Sequence, residues 1–233
     1  MTANQTIRRI LKPAVFLAGL IPFGLLVQGV LTGNLGADPL KAITDETGVW
    51  TLRFLCITLA VTPLRRLTGW NAAIRFRRML GLFAFFYGTV HLLIFVVADR
   101  YASLGFPSLT QWQSVRALAA SIGSEIFVRP YITVGFTSWV CMLALAATST
   151  NGMVRRLGGK RWQMLHRLIY LAVVAGVVHY WWLVKADIRP PQAYAVVVGA
   201  LLAFRVWWAM RTPASVPARP ASGRASATPS SID

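Results

Sequence analysis

Six times along 233 residues the chain turns almost wholly apolar for about the length needed to cross a bilayer. The runs lie near 12–31, 49–64, 79–98, 131–148, 164–184 and 192–210. Several approach or exceed the roughly 18–20 residues that a helix needs to span about 30 Å of hydrocarbon. Isolated Pro22 and Gly24 inside the first run are tolerable in a membrane helix. With 56% hydrophobic residues, the chain reads as an all-α membrane protein, a six-transmembrane helical bundle. Its net charge of +17 does not argue for nucleic acid, because the basic residues sit in short clusters between apolar runs and not along one soluble face.

Those clusters set an expected orientation. Arg8, Arg9 and Lys12, then Arg65, Arg66, Arg75, Arg77 and Arg78, then Arg155, Arg156, Lys160 and Arg161, and finally Arg211, Arg219 and Arg224 all fall on one side of an alternating topology. The positive-inside rule makes that side cytoplasmic, with both termini there. Asp38, Asp45, Glu46, Asp99, Glu125 and Asp187 fall on the other side. The expected domains are a cytoplasmic N-terminus at 1–11, a transmembrane domain at 12–210, and a disordered cytoplasmic tail at 211–233 rich in Pro, Ala and Ser. The first run is longer than a signal-peptide core and no A-x-A site follows closely, so it reads as an uncleaved span. The segment 99–130 is long for a loop; it includes WQSVRALAASI, which suits a short interfacial helix and a docking surface for a partner. Cys56 and Cys141 lie inside apolar runs with no metal or disulfide spacing and read as packed thiols.

The chain has three histidines, His91, His166 and His179, all in or at the edge of an apolar run. Ionisable groups there are costly and need a reason. The third and fifth runs point the same way, and His91 and His179 lie about 18 and 22 Å along them from Met79 and Met164. At a shared level in the outer half of the membrane, two imidazoles suit the two axial positions of a haem iron. His166 lies about 20 Å lower, near the cytoplasmic edge, where the third run carries Arg77 and Arg78. His166, Arg77 and Arg78 suit haem propionates, a flavin phosphate or a quinone headgroup, and His166 also suits a second metal site; arginines at that level equally mark a membrane edge. In a straight helix the rings of His166 and His179 would point about 140° apart, so a bend, a bulge or two differently placed ligands is needed, with Gly176 a place for local adjustment. Tyr87, one turn before His91, either faces the same cofactor or packs, and packing is the stronger reading. Trp181, Trp182, Trp207 and Trp208 sit near span ends and read as an interfacial belt. Arg129 and Tyr131 either hold a propionate or anchor their helix.

The blocks LGADPLKAITDETGVWTL, TPLRRLTGW, RRMLGLFAFFYGTVHL, RPYITVG and KRWQMLHRLIYLAVVAGVVHYWW occur in that order. Over residues 10–210 the chain resembles the MsrQ (YedZ) family, haem-binding membrane subunits within the ferric reductase-like transmembrane superfamily. That superfamily pairs histidines 13 or 14 residues apart on two helices. Here the fifth run keeps both, while the third keeps His91 and has Arg77 and Arg78 in place of the other. The resemblance implies haem b, FMN, electrons from the membrane quinone pool, an address in the bacterial inner membrane, and delivery to MsrP, a periplasmic molybdopterin enzyme that reduces protein-bound methionine sulfoxide. It points to no particular flavin residue. The sulfoxide chemistry then belongs to the partner, since this chain has no thiol or pterin motif suited to it. No GxGxxG opens a nucleotide fold, so the donor is expected to be membrane-soluble or a separate protein, entering at the cytoplasmic half. Two other readings stand beside this one: a histidine-based proton or metal-ion transporter, weakened by the absence of acids within the runs, and a structural anchor with merely packed histidines.

Overall fold

The computed structural model describes residues 3–101 and 112–211, all of whose regular structure is helical. A short helix α1 (Ala3–Thr6) and a π-helical turn (Ile7–Leu11) lead into α2 (Lys12–Thr32), then α3 (Pro39–Thr68) and α4 (Arg77–Ile94). After α4 come α5 (Trp112–Val128), α6 (Pro130–Ala147), the short α7 (Asn151–Leu157) and α8 (Gly159–Leu165), then α9 (Leu168–Leu183) and α10 (Arg189–Arg211). Six helical stretches are long and apolar enough to cross a membrane: Arg9–Thr32, Pro39–Thr68, Arg77–Ala98, Pro130–Ala147, Gly159–Leu183 and Arg189–Arg211. All six expected spans are present. The expected tail, 212–233, lies outside the described residues, as does 102–111 of the proposed docking segment. The remainder of that segment includes α5, which leaves Trp112, Phe127 and Val128 exposed.

Two boundaries differ from expectation, and both shape the site. The second span begins at Pro39, not 49, because Asp38 caps it, accepting from the Lys41 N–H at 2.9 Å, and Pro39 supplies a preset first turn. Its first turns therefore carry Thr44, Thr47 and Gly48 as helix. The fifth span is not one continuous helix. At His166 (φ −70°, ψ −3°) α8 ends, and the turn closes through the Arg167 N–H to the Met164 carbonyl (3.1 Å) and the Tyr170 N–H to the Arg167 carbonyl (3.0 Å) before α9 begins. The bend thus falls at residues 166–167, well before Gly176.

Packing divides the bundle into two intimate pairs, α3 with α4 and α6 with α9. The core between them holds Leu55, Leu59, Ala84, Ala172 and Val173 at 1% exposure or less, and Cys56 and Cys141 are buried free thiols. Cross-ties are polar and few. Ser138 Oγ donates to the Ala172 carbonyl (2.8 Å) between α6 and α9, and Trp139 Nε1 to Thr89 Oγ1 (3.1 Å) between α6 and α4. The peripheral helices α2 and α10 dock by inserted polar groups. Tyr87 is buried, and its hydroxyl enters the α2 ladder, donating to the Gly19 carbonyl (2.8 Å) and accepting from the Phe23 N–H (3.1 Å). A Cβ on Gly19 would stand 2.6 Å from the Phe83 ring, so only glycine permits this approach. On α10, Arg205 donates to Tyr170 Oη (2.9 Å) and to the Leu59 carbonyl (2.8 Å), and Tyr194 accepts from Arg53 Nε (3.3 Å).

Consecutive spans alternate in direction, which gives the bundle two chemically distinct ends. The acidic end includes Asp38, Asp45 and Asp187; the basic end includes Arg65, Arg66, Arg75, Arg77, Arg78, Arg155 and Arg156.

Candidate functional site

In the half nearer the acidic end the two helix pairs each present one imidazole. His91 of α4 and His179 of α9 have ring centroids 6.2 Å apart, with planes at 82°. His91 Nδ1 lies 3.0 Å from the Thr44 carbonyl of α3, with Thr47 Oγ1 at 3.4 Å; His179 Nδ1 lies 2.7 Å from the Tyr131 carbonyl of α6. A carbonyl only accepts, so Nδ1 carries the proton and donates in both rings. Nε2 therefore keeps the lone pair of a neutral imidazole, and the ring orientation is fixed by the neighbouring helix. Two imidazoles sharing one metal, with bonds of about 2 Å and about 1.1 Å more to each ring centre, have centroids about 6 Å apart. The observed separation meets that requirement.

Glycine makes the approach possible. A Cβ on Gly135 would stand 2.6 Å from His179 Nδ1, and one on Gly48 would stand 3.1 Å from His91 Cε1. Each glycine lies one turn after the carbonyl that its histidine engages, Thr44 then Gly48, Tyr131 then Gly135. The two pairs repeat one device: GVWT (48–51) faces GTVH (88–91), and GFTS (135–138) faces GVVH (176–179). Gly88 is packed on Met142 and Thr51, and Gly176 on Leu52 and Ser138. Histidine content alone does not reveal Thr44, Gly48, Tyr131 or Gly135. Their signal is this doubled pattern of G-x-x-T/S and G-x-x-H.

Toward the basic end the arrangement is different. His166 stacks on Trp162 of its own helical segment (centroids 3.8 Å, 27°), its Nδ1 lies 3.0 Å from the Trp162 carbonyl, and Trp162 Nε1 donates to the Thr148 carbonyl (2.9 Å). Its Nε2 is buried without a hydrogen-bond partner. Arg77 is half-buried and within electrostatic reach of His166, Arg205 and Tyr170. Arg205 Nε is likewise buried and unpartnered. Arg78, although adjacent in sequence, is exposed and donates to Asn151 Oδ1 (2.8 Å), tying α4 to α7. Of the two expected arginines, Arg77 is thus the one within electrostatic reach of His166, and Arg205 of α10 is within reach of Arg77. No ion pair involving Arg77 or Arg205 occurs among the described residues. Arg77 and Arg205, unneutralised, suit an anionic or oxygen-rich ligand, whereas His166, whose Nδ1 donates to the Trp162 carbonyl, keeps at Nε2 a lone pair suited to a metal or a hydrogen-bond donor.

The remaining sequence candidates are structural. Tyr87 fastens α2. Arg129 forms an ion pair with Glu125 (2.7 Å) and donates to Tyr131 Oη (3.1 Å), so it anchors the start of α6. Trp181, Trp182 and Trp207 are exposed near helix ends, and Arg211 lies 4.3 Å over the Trp207 ring.

An antiparallel membrane bundle with paired intramembrane imidazoles and no soluble domain among its described residues defines a class of protein, and comparison with known sequences narrows it. Residues 47–177 match the family model "Ferric reductase like transmembrane component". The chain is 51% identical over 205 residues to the protein-methionine-sulfoxide reductase heme-binding subunit MsrQ of Ralstonia nicotianae, covering 87% of this chain and 88% of that one. It is 48% identical to the protein of the same name from Herminiimonas arsenicoxydans, covering 86% of each chain. The Xanthomonas campestris protein of that name is also 48% identical, with 84% of this chain and 85% of that one covered. The chain belongs to the ferric reductase-like transmembrane family and, within it, to the MsrQ subunits.

Proposed function

We propose that this chain is the haem b subunit of a methionine sulfoxide reductase system in the bacterial inner membrane, carrying electrons from membrane quinol to periplasmic MsrP. The basic end is cytoplasmic and the acidic end periplasmic, in keeping with the positive-inside rule. His91 and His179 would hold the haem iron through Nε2. Bound there, haem supplies a one-electron carrier held within the membrane. The residues do the rest: the Thr44 and Tyr131 carbonyls hold both rings in the ligating tautomer, Gly48 and Gly135 leave the space the rings occupy, and the apolar core excludes water.

The observation that carries the reading is the pair of rings 6.2 Å apart, each bonded at Nδ1 to a carbonyl of the adjacent helix. The family supports it too, since the relatives are named for haem binding. His166 and Arg77 form a second cofactor-binding set near the cytoplasmic face, with His166 as a second metal site and Arg77 for the acidic groups of haem or the phosphate of FMN; the exposed Arg78, bonded to Asn151, lies at its edge. The unpartnered nitrogen of His166 favours this. The sulfoxide chemistry resides in MsrP, which docks on the periplasmic segments.

Detergent-purified protein is expected to show the absorbance of a six-coordinate b-type haem and to be reduced anaerobically by decylubiquinol. His91→Ala and His179→Ala are each expected to lose that spectrum. Pigment-free protein, or wild-type spectra in both variants, would overturn the proposal; liposomal ion uptake by haem-free protein would favour a transporter instead.

A further inference from the structure

A cavity of about 450 Å³ opens between α2 and α3, on the side of α3 turned away from His91. Ile21, Leu25 and Leu26 give it an apolar wall from α2, and Glu46, Trp50 and Arg53 form the opposite wall. Those three residues follow at i, i+4 and i+7 and share one helix face. Thr44, Thr47 and Gly48, which touch His91, occupy a largely opposite face of the same turns. A single helix thickness therefore separates the cavity from His91.

We infer that this groove is the docking site of the quinol, its ring beside Trp50, its two oxygens addressed by Glu46 and Arg53, and its apolar tail along α2. The inference rests on the quinol reading above and gives it a location. Three observations carry it. First, the cavity falls within the roughly 300–1,000 Å³ typical of small-molecule sites, and its polar groups are confined to one wall. Second, its charge is balanced. Glu46 and Arg53 form no ion pair with each other, and Arg53 is held over the Trp50 ring (4.5 Å) and against Tyr194 Oη. A neutral ring with a hydroxyl to donate to the Glu46 carboxylate and an oxygen to accept from the Arg53 guanidinium satisfies both. Third, the groove adjoins aromatic side chains leading toward the histidine pair: Trp50 lies 6.3 Å from Tyr87, Phe54 stacks on Tyr87 at 5.4 Å, and Tyr87 is one turn from His91. The groove lies in the half of the bundle nearer the acidic end, so the donor enters near the level of the histidine pair, not at the cytoplasmic half where the sequence alone puts it.

The test uses full-length protein in nanodiscs, with binding of decylubiquinone measured by equilibrium dialysis and the haem spectrum, before and after dithionite, as the check on fold. Glu46→Gln and Arg53→Gln are each expected to weaken binding by about tenfold, Arg53→Lys to restore part of it, and Leu25→Trp to block it by filling the groove, all with the spectrum unchanged. Binding as tight as wild type in Leu25→Trp and in the Glu46→Gln/Arg53→Gln double variant would overturn the groove while leaving the quinol reading intact. A wild-type protein that neither binds decylubiquinone nor is reduced by decylubiquinol, though dithionite reduces it, would overturn both. Phospholipid recovered in fixed ratio from wild type, absent from Arg53→Gln and not displaced by decylubiquinone, would make the groove a lipid site and overturn the proposal.

Discussion

His91 and His179 in one half of the bundle and His166 near the other end each bond a backbone carbonyl through Nδ1, but the carbonyls belong to different kinds of neighbour. For the pair, each carbonyl comes from another helix, and a glycine on that helix makes room for the ring. For His166 the carbonyl is that of Trp162, four residues earlier, and the ring lies on the same tryptophan. The pair is thus held by tertiary packing, so a change in the facing helix reaches the ring. His166 is held locally at a helix break and stays oriented as long as that turn exists. Near it α4 contributes charge instead of orientation, through Arg77.

The largest effect separating the two ends should come from the histidines themselves. His91→Ala or His179→Ala is expected to lower haem affinity by well over about tenfold and to remove the low-spin spectrum. His166→Ala should leave the spectrum of the His91–His179 site in place, and loss of that spectrum in His166→Ala would break the division into two sites. Next in size is Gly135→Ala, whose new Cβ would press on His179 Nδ1; about a 10- to 100-fold loss of haem affinity is expected, as for a residue that orients a ligand. Gly48→Ala should cost less, since its clearance from His91 is larger. Equal titration curves for the two glycine variants would show that the rings are not held in this way. Tyr87→Phe should spare haem content and lower stability by about 1–3 kcal/mol, because the Gly19 carbonyl and Phe23 N–H lose a shared partner; thermal unfolding in detergent checks it. Smallest is Arg205→Met, which removes the bonds to Tyr170 and Leu59 and should cost about 1 kcal/mol in the same assay.

Much of this was legible in residue order. The six spans, the polarity of their connections and the common level of His91 and His179 follow from run length, charge and rise per residue, which are local properties. Less legible was the start of α3, since TDETG carries acids that read as loop until Asp38 and Pro39 are recognised as a helix start. Helical geometry left a bend, a bulge or differently placed ligands open for His166 and His179, and the break at residues 166–167 was not legible, because Gly176 was the more obvious weak point and packing on Leu52 and Ser138 keeps it inside α9.

By itself, then, the sequence determined how many times the chain crosses and which side chains are too polar to be there without a purpose, because hydrophobic length and the cost of buried imidazole act on each segment independently. Only the tertiary structure decided which carbonyl holds each histidine, why Gly135 must be glycine and Gly48 is close to it, that Arg77 and not Arg78 joins His166, and that Arg205 comes near Arg77. Those choices depend on distances between helices far apart in the chain, and no local pattern fixes such a distance until the helices have packed.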